Sequence, residues 1–141
     1  MAAEPEGWDL FRVLELSVAK KKAADPGAVA LYTETGAAMP GDELIEYSLG
    51  LDRALRAAGV GRGDRVMLVN EITAFAMAAA LAVIRVGAVF IPNDPNDPAA
   101  LRAGIIQAAN IKAVLAEKGT CVPTWRGSKS RAGSVCGQQL T

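Results

Sequence analysis

Leu10, Leu14 and Val18 recur every four residues with Phe11 beside them, which predicts an amphipathic helix from Trp8 to about Lys22. Asp25-Pro26-Gly27 then reads as a turn. Ala28–Tyr32 is a short apolar strand, and the turn residues in Thr33–Gly41 predict a loop or hairpin. Leu44, Ser48, Leu51, Leu55 and Ala58 form the next helical stripe, which Ile45 and Leu49 widen. Asp42 is its expected N-cap and Gly59 its expected C′ glycine, with Glu46, Asp52, Arg53 and Arg56 on the outer face.

From Gly59 to Pro95 the pattern changes to runs. Val66–Val69 is continuously apolar within Arg65–Val69, the mark of a strand buried on both faces. An Ala-rich segment follows, capped by Asn70 or Thr73 and ending at Gly87. Ala88–Ile91 predicts a second buried strand, halted by the Pro/Asn/Asp loop Pro92–Pro98. Asp97 then caps a helix with Pro98 at its first position, and that helix runs to about Asn110. Ile111–Ala116 is a third strand. Strand–helix–strand–helix–strand predicts an α/β fold: a partial three-layer parallel sheet (βαβαβ) preceded by a helix and a small N-terminal strand or hairpin. Residues 119–141 lack periodicity and acids, and predict a low-complexity, disordered C-terminal tail beside a 1–118 body.

Composition narrows the class. With 141 residues and 51% hydrophobic residues, the chain can bury one core. Residues 1–118 hold 12 Lys/Arg and all 15 Asp/Glu, so the body offers no electrostatic footprint for nucleic acid. Lys20, Lys21 and Lys22 complement the first helix dipole. Ile72–Ile91 is long enough to span a bilayer, but Arg85, Gly87 and the strand formers Val89, Phe90 and Ile91 favour a helix and strand packed on a sheet, with no transmembrane segment. The acidic start MAAEPEGWDLF lacks the pattern of a secretory signal. Both cysteines, Cys121 and Cys136, fall in the tail, and the cysteine-free body fits a reducing, cytoplasmic setting.

Candidate chemistry is sparse. The glycines of Gly61-Arg62-Gly63-Asp64 precede a strand, whereas a phosphate fingerprint follows one, so they read as a turn. Gly127-Ser128-Lys129-Ser130 echoes a phosphate loop without its flanking strand. Cys121 and Cys136 are not spaced as a metal pair, and the chain has no His. No residue qualifies as catalytic, cofactor-binding or metal-ligating.

Four blocks in order nevertheless carry a resemblance: Glu43-Leu44, Leu55–Val66 (LRAAGVGRGDRV), Ile84–Pro92 (IRVGAVFIP) with Asp94-Pro95, and Ile111–Leu115 (IKAVL). The chain resembles, from about Leu10 to Glu117, the N-terminal part of the adenylate-forming, AMP-binding synthetases: acyl-CoA synthetases, aryl-CoA ligases and peptide-synthetase adenylation domains. It departs from them at Pro40-Gly41, where the family commonly has Thr-Tyr, and at Glu71–Phe75, where it often has a Pro-Asn-Ser/Thr-x-Glu turn. The resemblance implies a parent reaction in which a carboxylic acid and ATP give an acyl-adenylate, then a thioester with CoA or a carrier thiol. It also implies ATP, Mg and CoA for the full-length family, in a setting such as fatty acid metabolism. The family's phosphate loop, ribose-binding Asp and catalytic Lys have no counterpart here, so the chain is expected to be an inactive fragment. The competing expectation is a non-catalytic interaction module, whose uncovered sheet edge and helix faces recruit a partner protein or a second copy.

Overall fold

The computed structural model describes residues 9–117 and the backbone of residues 135–136. Helix α1 (Leu10–Ala24) is followed by a hairpin of β1 (Val29–Tyr32) and β2 (Ala38–Pro40), then α2 (Gly41–Ala57). A βαβαβ run comes next: β3 (Arg65–Val69), α3 (Ala74–Val86), β4 (Val89–Asn93), α4 (Ala99–Ala108) and β5 (Ala113–Ala116). The parallel sheet has the order β4-β3-β5, extended by a two-residue strand, β6 (Val135–Cys136), beside β5. The α/β fold, the parallel three-strand core, the leading helix and the hairpin are those the pattern predicts. The rest of the expected disordered tail, and Trp8, lie outside the described residues, whereas Val135–Cys136 pairs as a strand.

Alternation on the two central strands divides the core into two layers. Val66, Leu68, Ala113 and Leu115 face α2 and α3, and Phe11 of α1 and Met39 of β2 join that cluster. Met67, Val69, Val114 and Ala116 face the other way, against Ile106 of α4 and Ile111. That is why Val66–Val69 reads as an unbroken apolar run.

One device returns each helix to the sheet. After α2, Gly59 takes φ +83°, its N–H donates to Arg56 O and the Val60 N–H donates to Leu55 O. After α3, Gly87 at φ +81° does the same, with bonds to Ile84 O and Val83 O. After α4, Asn110 takes the left-handed position at φ 50°, with bonds to Gln107 O and Ile106 O. Each pair is a Schellman cap, which satisfies two terminal carbonyls and turns the chain sharply. Glycine carries the first two because a left-handed φ costs it nothing, and asparagine is the commonest substitute.

Several expectations need correction. Asp42 is not the N-cap of α2: Pro40 holds that position, and Asp42 lies inside the first turn, where its carboxylate accepts from Lys22 Nζ at 2.6 Å. Asp97 does not cap α4, since Pro98 occupies that place with extended ψ and the Asp97 carboxylate accepts from Asn93 Nδ2 at 3.0 Å. Thr73, not Asn70, caps α3, its hydroxyl accepting from the Ala76 N–H. Pro92 does not end β4, which continues through it to Asn93. β4 lies at the sheet edge, where proline's missing N–H interrupts no inner ladder. For the same reason β4 is not a buried strand: Val89 and Phe90 are 51% and 39% exposed. Asp52 does not face solvent, being only 3% exposed.

Candidate functional site

Asp52 lies on α2 where that helix meets α3. Arg85 Nη1 reaches its carboxylate at 2.8 Å and Arg56 Nε at 3.1 Å. The Arg85 guanidinium in turn sits 5.4 Å from the Phe11 ring centroid, within cation–π range. Phe11, Asp52 and Arg85 thus tie α1, α2 and α3 together. Both cations remain partly open to water, so this is a structural brace with no free group to act on a substrate.

In open parallel sheets, ligands bind outside the carboxyl ends of the strands. Here that edge is built by the β3–α3 turn (Asn70–Thr73), the end of β4 with the β4–α4 loop (Asp94–Pro98), and Glu117 after β5. Thr73 Oγ1 donates to Glu117 Oε2 at 3.2 Å while still capping α3, which links the first turn of α3 to the end of β5. Tyr47 and Phe75 stack nearby at a tilt, 6.4 Å between centroids. Partial burial raises the Tyr47 phenol above its ordinary value of 10.0, helped by the charges of Glu117 and Glu34, so it stays protonated at neutral pH.

The β4–α4 loop is shaped from beneath by Arg102, which is 3% exposed. Its Nε donates to Asn93 Oδ1 at 2.7 Å, and its Nη2 to the carbonyls of Asp94 at 3.1 Å and Pro95 at 3.0 Å. Asn93 passes the contact on to Asp97. A planar guanidinium suits this because its several donors fan out in one plane, matching carbonyls on a curved loop. Sequence reasoning missed Arg102. The one available signal is a cation on the apolar stripe of α4, three residues before Ile105.

A groove of about 610 Å³ opens between this loop, α3 and β4. Phe90, Pro92 and Leu68 line its floor, and Met77 and Ala80 its α3 wall. Glu71 and Asp94 stand among its lining, which includes no Lys or Arg. Such a surface does not fit a triphosphate, which needs cations or converging N–H groups. It offers an apolar trough with acidic groups. A second hollow of about 430 Å³, between α1 and the hairpin, lies away from the strand ends. Among the described residues no three His, Cys, Asp or Glu side chains cluster as a metal site.

The glycine pair of Gly61–Asp64 is a turn, as expected. The Gly61 N–H donates to Asp64 Oδ2 at 2.7 Å and the Gly63 N–H to Gly87 O at 2.9 Å, so both amides are engaged within the protein. The Gly61 N–H, with Lys112 Nζ at 3.3 Å, holds the Asp64 carboxyl below its ordinary value of 3.8. Gly127–Ser130 and Cys121 lie outside the described residues. No helix among the described residues is long and apolar enough to cross a membrane.

The family model for "AMP-binding enzyme" matches residues 18–138. The hybrid PKS-NRPS synthetase thnA of Trichoderma harzianum is 32% identical over 112 residues, covering 79% of this chain and 3% of that protein. Nonribosomal peptide synthetase 8 of Aspergillus fumigatus is 31% identical over 118 residues, covering 84% of this chain and 1% of the relative. Among solved structures, CmiS6 superposes with a TM-score of 0.71 at 27% identity, over 88% of this chain and 32% of that one. The N-terminal subdomain of Klebsiella oxytoca NpsA shares the fold, with a TM-score of 0.68 at 22% identity over 83% of this chain and 29% of its own. The chain therefore spans a few per cent of these curated relatives and about a third of the structural neighbours. The family match, the ordered blocks and the β4-β3-β5 sheet agree: this chain belongs to the AMP-binding, adenylate-forming enzyme family.

Proposed function

We propose that the chain serves as the N-terminal scaffold of an adenylation domain. The parent reaction is attack of a substrate carboxylate on the α-phosphorus of ATP, giving an acyl-adenylate and pyrophosphate, followed by thioester formation. Since thnA and nonribosomal peptide synthetase 8 are peptide-synthetase relatives, a carrier-protein thiol is the favoured acceptor and CoA the second choice. On this reading the 1–118 body is the synthetase-like portion, and the protein works in the cytoplasm, where ATP is available.

One observation carries the reading: the family match extends over residues 18–138, yet the described carboxyl-end surface presents an apolar trough with carboxylates and no cation. Phosphoryl chemistry needs charge stabilisation aimed at the transferring group. The lining of the trough supplies none of that stabilisation. ATP–pyrophosphate exchange with a panel of amino and aryl acids tests this. The full 141-residue chain is expected to show no exchange alone. Acid-dependent exchange by the chain alone overturns the scaffold reading.

A further inference from the structure

The amino end of the sheet, opposite the trough, is rimmed with cations. Arg56 and Arg85 stand in the last turns of α2 and α3 and meet on Asp52. Arg62 lies beside Gly87, just past α3. Arg65 opens β3, and Lys112 stands just before β5, its N–H donating to Arg65 O at 2.8 Å. The Arg65 Nη1 reaches across to Ala109 O at the end of α4, at 3.1 Å. All five side chains are exposed. They form one belt that crosses the start of β3 from the α2–α3 layer to α4. The body as a whole has more acids than cations, so this concentration is local.

Helix ends and two carboxylates anchor the belt without neutralising it. Cations near the last turns complement the helix dipoles. Asp52 is buried beneath Arg56 and Arg85, and Asp64 takes Lys112. Each anchor engages one nitrogen of a guanidinium: Nε of Arg56, Nη1 of Arg85 and Nη1 of Arg65. A guanidinium has five N–H donors in a fixed plane, so donors remain at the surface in an orientation already set. Planar forks of this kind match carboxylates in pairs. Val89, the register partner of Arg65, is 51% exposed and adds an apolar contact within the belt. Asp64, partly open among the cations, repels a continuous row of phosphates. Phe11 is buried beneath Arg85, so its ring is closed to a nucleic-acid base.

We infer that this belt is a docking surface for a carboxylate-rich segment of a partner protein, in which an apolar residue flanked by Asp or Glu sits on Val89. It lies at the other end of the strands from the trough and stands apart from the scaffold reading.

The test is fluorescence anisotropy of the full 141-residue chain with a labelled helical peptide carrying one Leu flanked by Glu on the same face. Binding is expected, weakening as salt rises, with a Gln-for-Glu peptide inert. The double variant Arg62→Gln with Arg65→Gln weakens it about tenfold. Lys20→Gln with Lys21→Gln makes the same charge change on α1 and shifts it less than about twofold. Circular dichroism checks that both variants fold. Amide shifts in the unsubstituted chain, expected at residues 61–65, 85–89 and 112, locate the peptide without any substitution. No binding, shifts elsewhere, or equal losses in the two double variants overturn the assignment. Tighter binding of a single-stranded oligonucleotide or of phosphatidylserine vesicles than of the peptide overturns the choice of a protein partner.

Discussion

Replacing Asp52 with alanine tests whether the three-helix brace stabilises the fold. The carboxylate is 3% exposed and accepts from Arg85 at 2.8 Å and Arg56 at 3.1 Å. Hydrogen bonds to charged groups contribute about 1.5–3 kcal/mol each when buried. Removing one partner of a fully buried pair costs about 3–5 kcal/mol, because the other charge is stranded. Arg85 is not stranded: its side chain is 36% exposed and can turn to water, so screening brings the loss to about 2 kcal/mol. Alanine returns about 0.5 kcal/mol through better helix propensity. The net expectation is about 1.5 kcal/mol. With a urea m-value of about 1–3 kcal/mol/M, the unfolding midpoint followed by circular dichroism falls by about 0.5–1.5 M. Asp52→Asn keeps the shape and loses less. A double-mutant cycle with Arg85→Ala is expected to give a coupling near 1 kcal/mol, and one with the exposed Arg56 a clearly smaller value. A loss below about 0.5 kcal/mol, the range of ordinary surface changes, refutes the brace.

Three further outcomes follow from the geometry. Arg102→Met strands Asn93 Oδ1 and the loop carbonyls, and is expected to cost about 2–4 kcal/mol in urea unfolding. Amide exchange across residues 93–98 should accelerate with it, and Arg102→Lys should recover less than half, because a lysine lacks the planar fork. Gly87→Ala and Gly59→Ala each force a left-handed φ and should each cost about 1–2 kcal/mol. Gly87 should be the more sensitive, since a Cβ there would meet Arg62 Cγ at 3.3 Å whereas Gly59 faces open space; equal thermal midpoints would contradict this. Asp64 has a folded pKa depressed below 3.8, so its stabilisation is present above that value and is lost as pH falls through the folded pKa. Asp64→Asn should therefore be less stable than the native chain at pH 7, the gap closing as pH falls below about 3.8, in matched urea titrations.

Sequence pattern located the elements because period and punctuation both mark them. Ala74–Val86 ends at Gly87, and Val66–Val69 is bare of polar residues, so α3 and β3 sit where the chain predicts them. The misses concern interactions that period does not encode. Asp42 and Asp97 look like caps by composition, yet their carboxylates bond Lys22 and Asn93. Asp52 looks solvated until α3 brings Arg85 to it from 33 positions away. β4 passes through Pro92 because it is an edge, and edge position is a property of strand order, which local sequence does not carry. The acidic trough was illegible for the same reason, since Glu71, Met77, Phe90 and Asp94 meet only once the sheet has formed. The expectation of uncovered apolar surface does hold at Phe90 and Met77.

The strand order has a consequence for how the chain is made. β3 is synthesised before both of its neighbours, and β5, its partner on one side, ends only at Ala116. At about 5–20 residues per second, that side of Val66–Val69 waits several seconds on the ribosome. During that interval a four-residue apolar edge, every residue of which is buried in the finished fold, is open to any other extended chain. Translation speed between codons 70 and 116 thus becomes a variable in the yield of native protein.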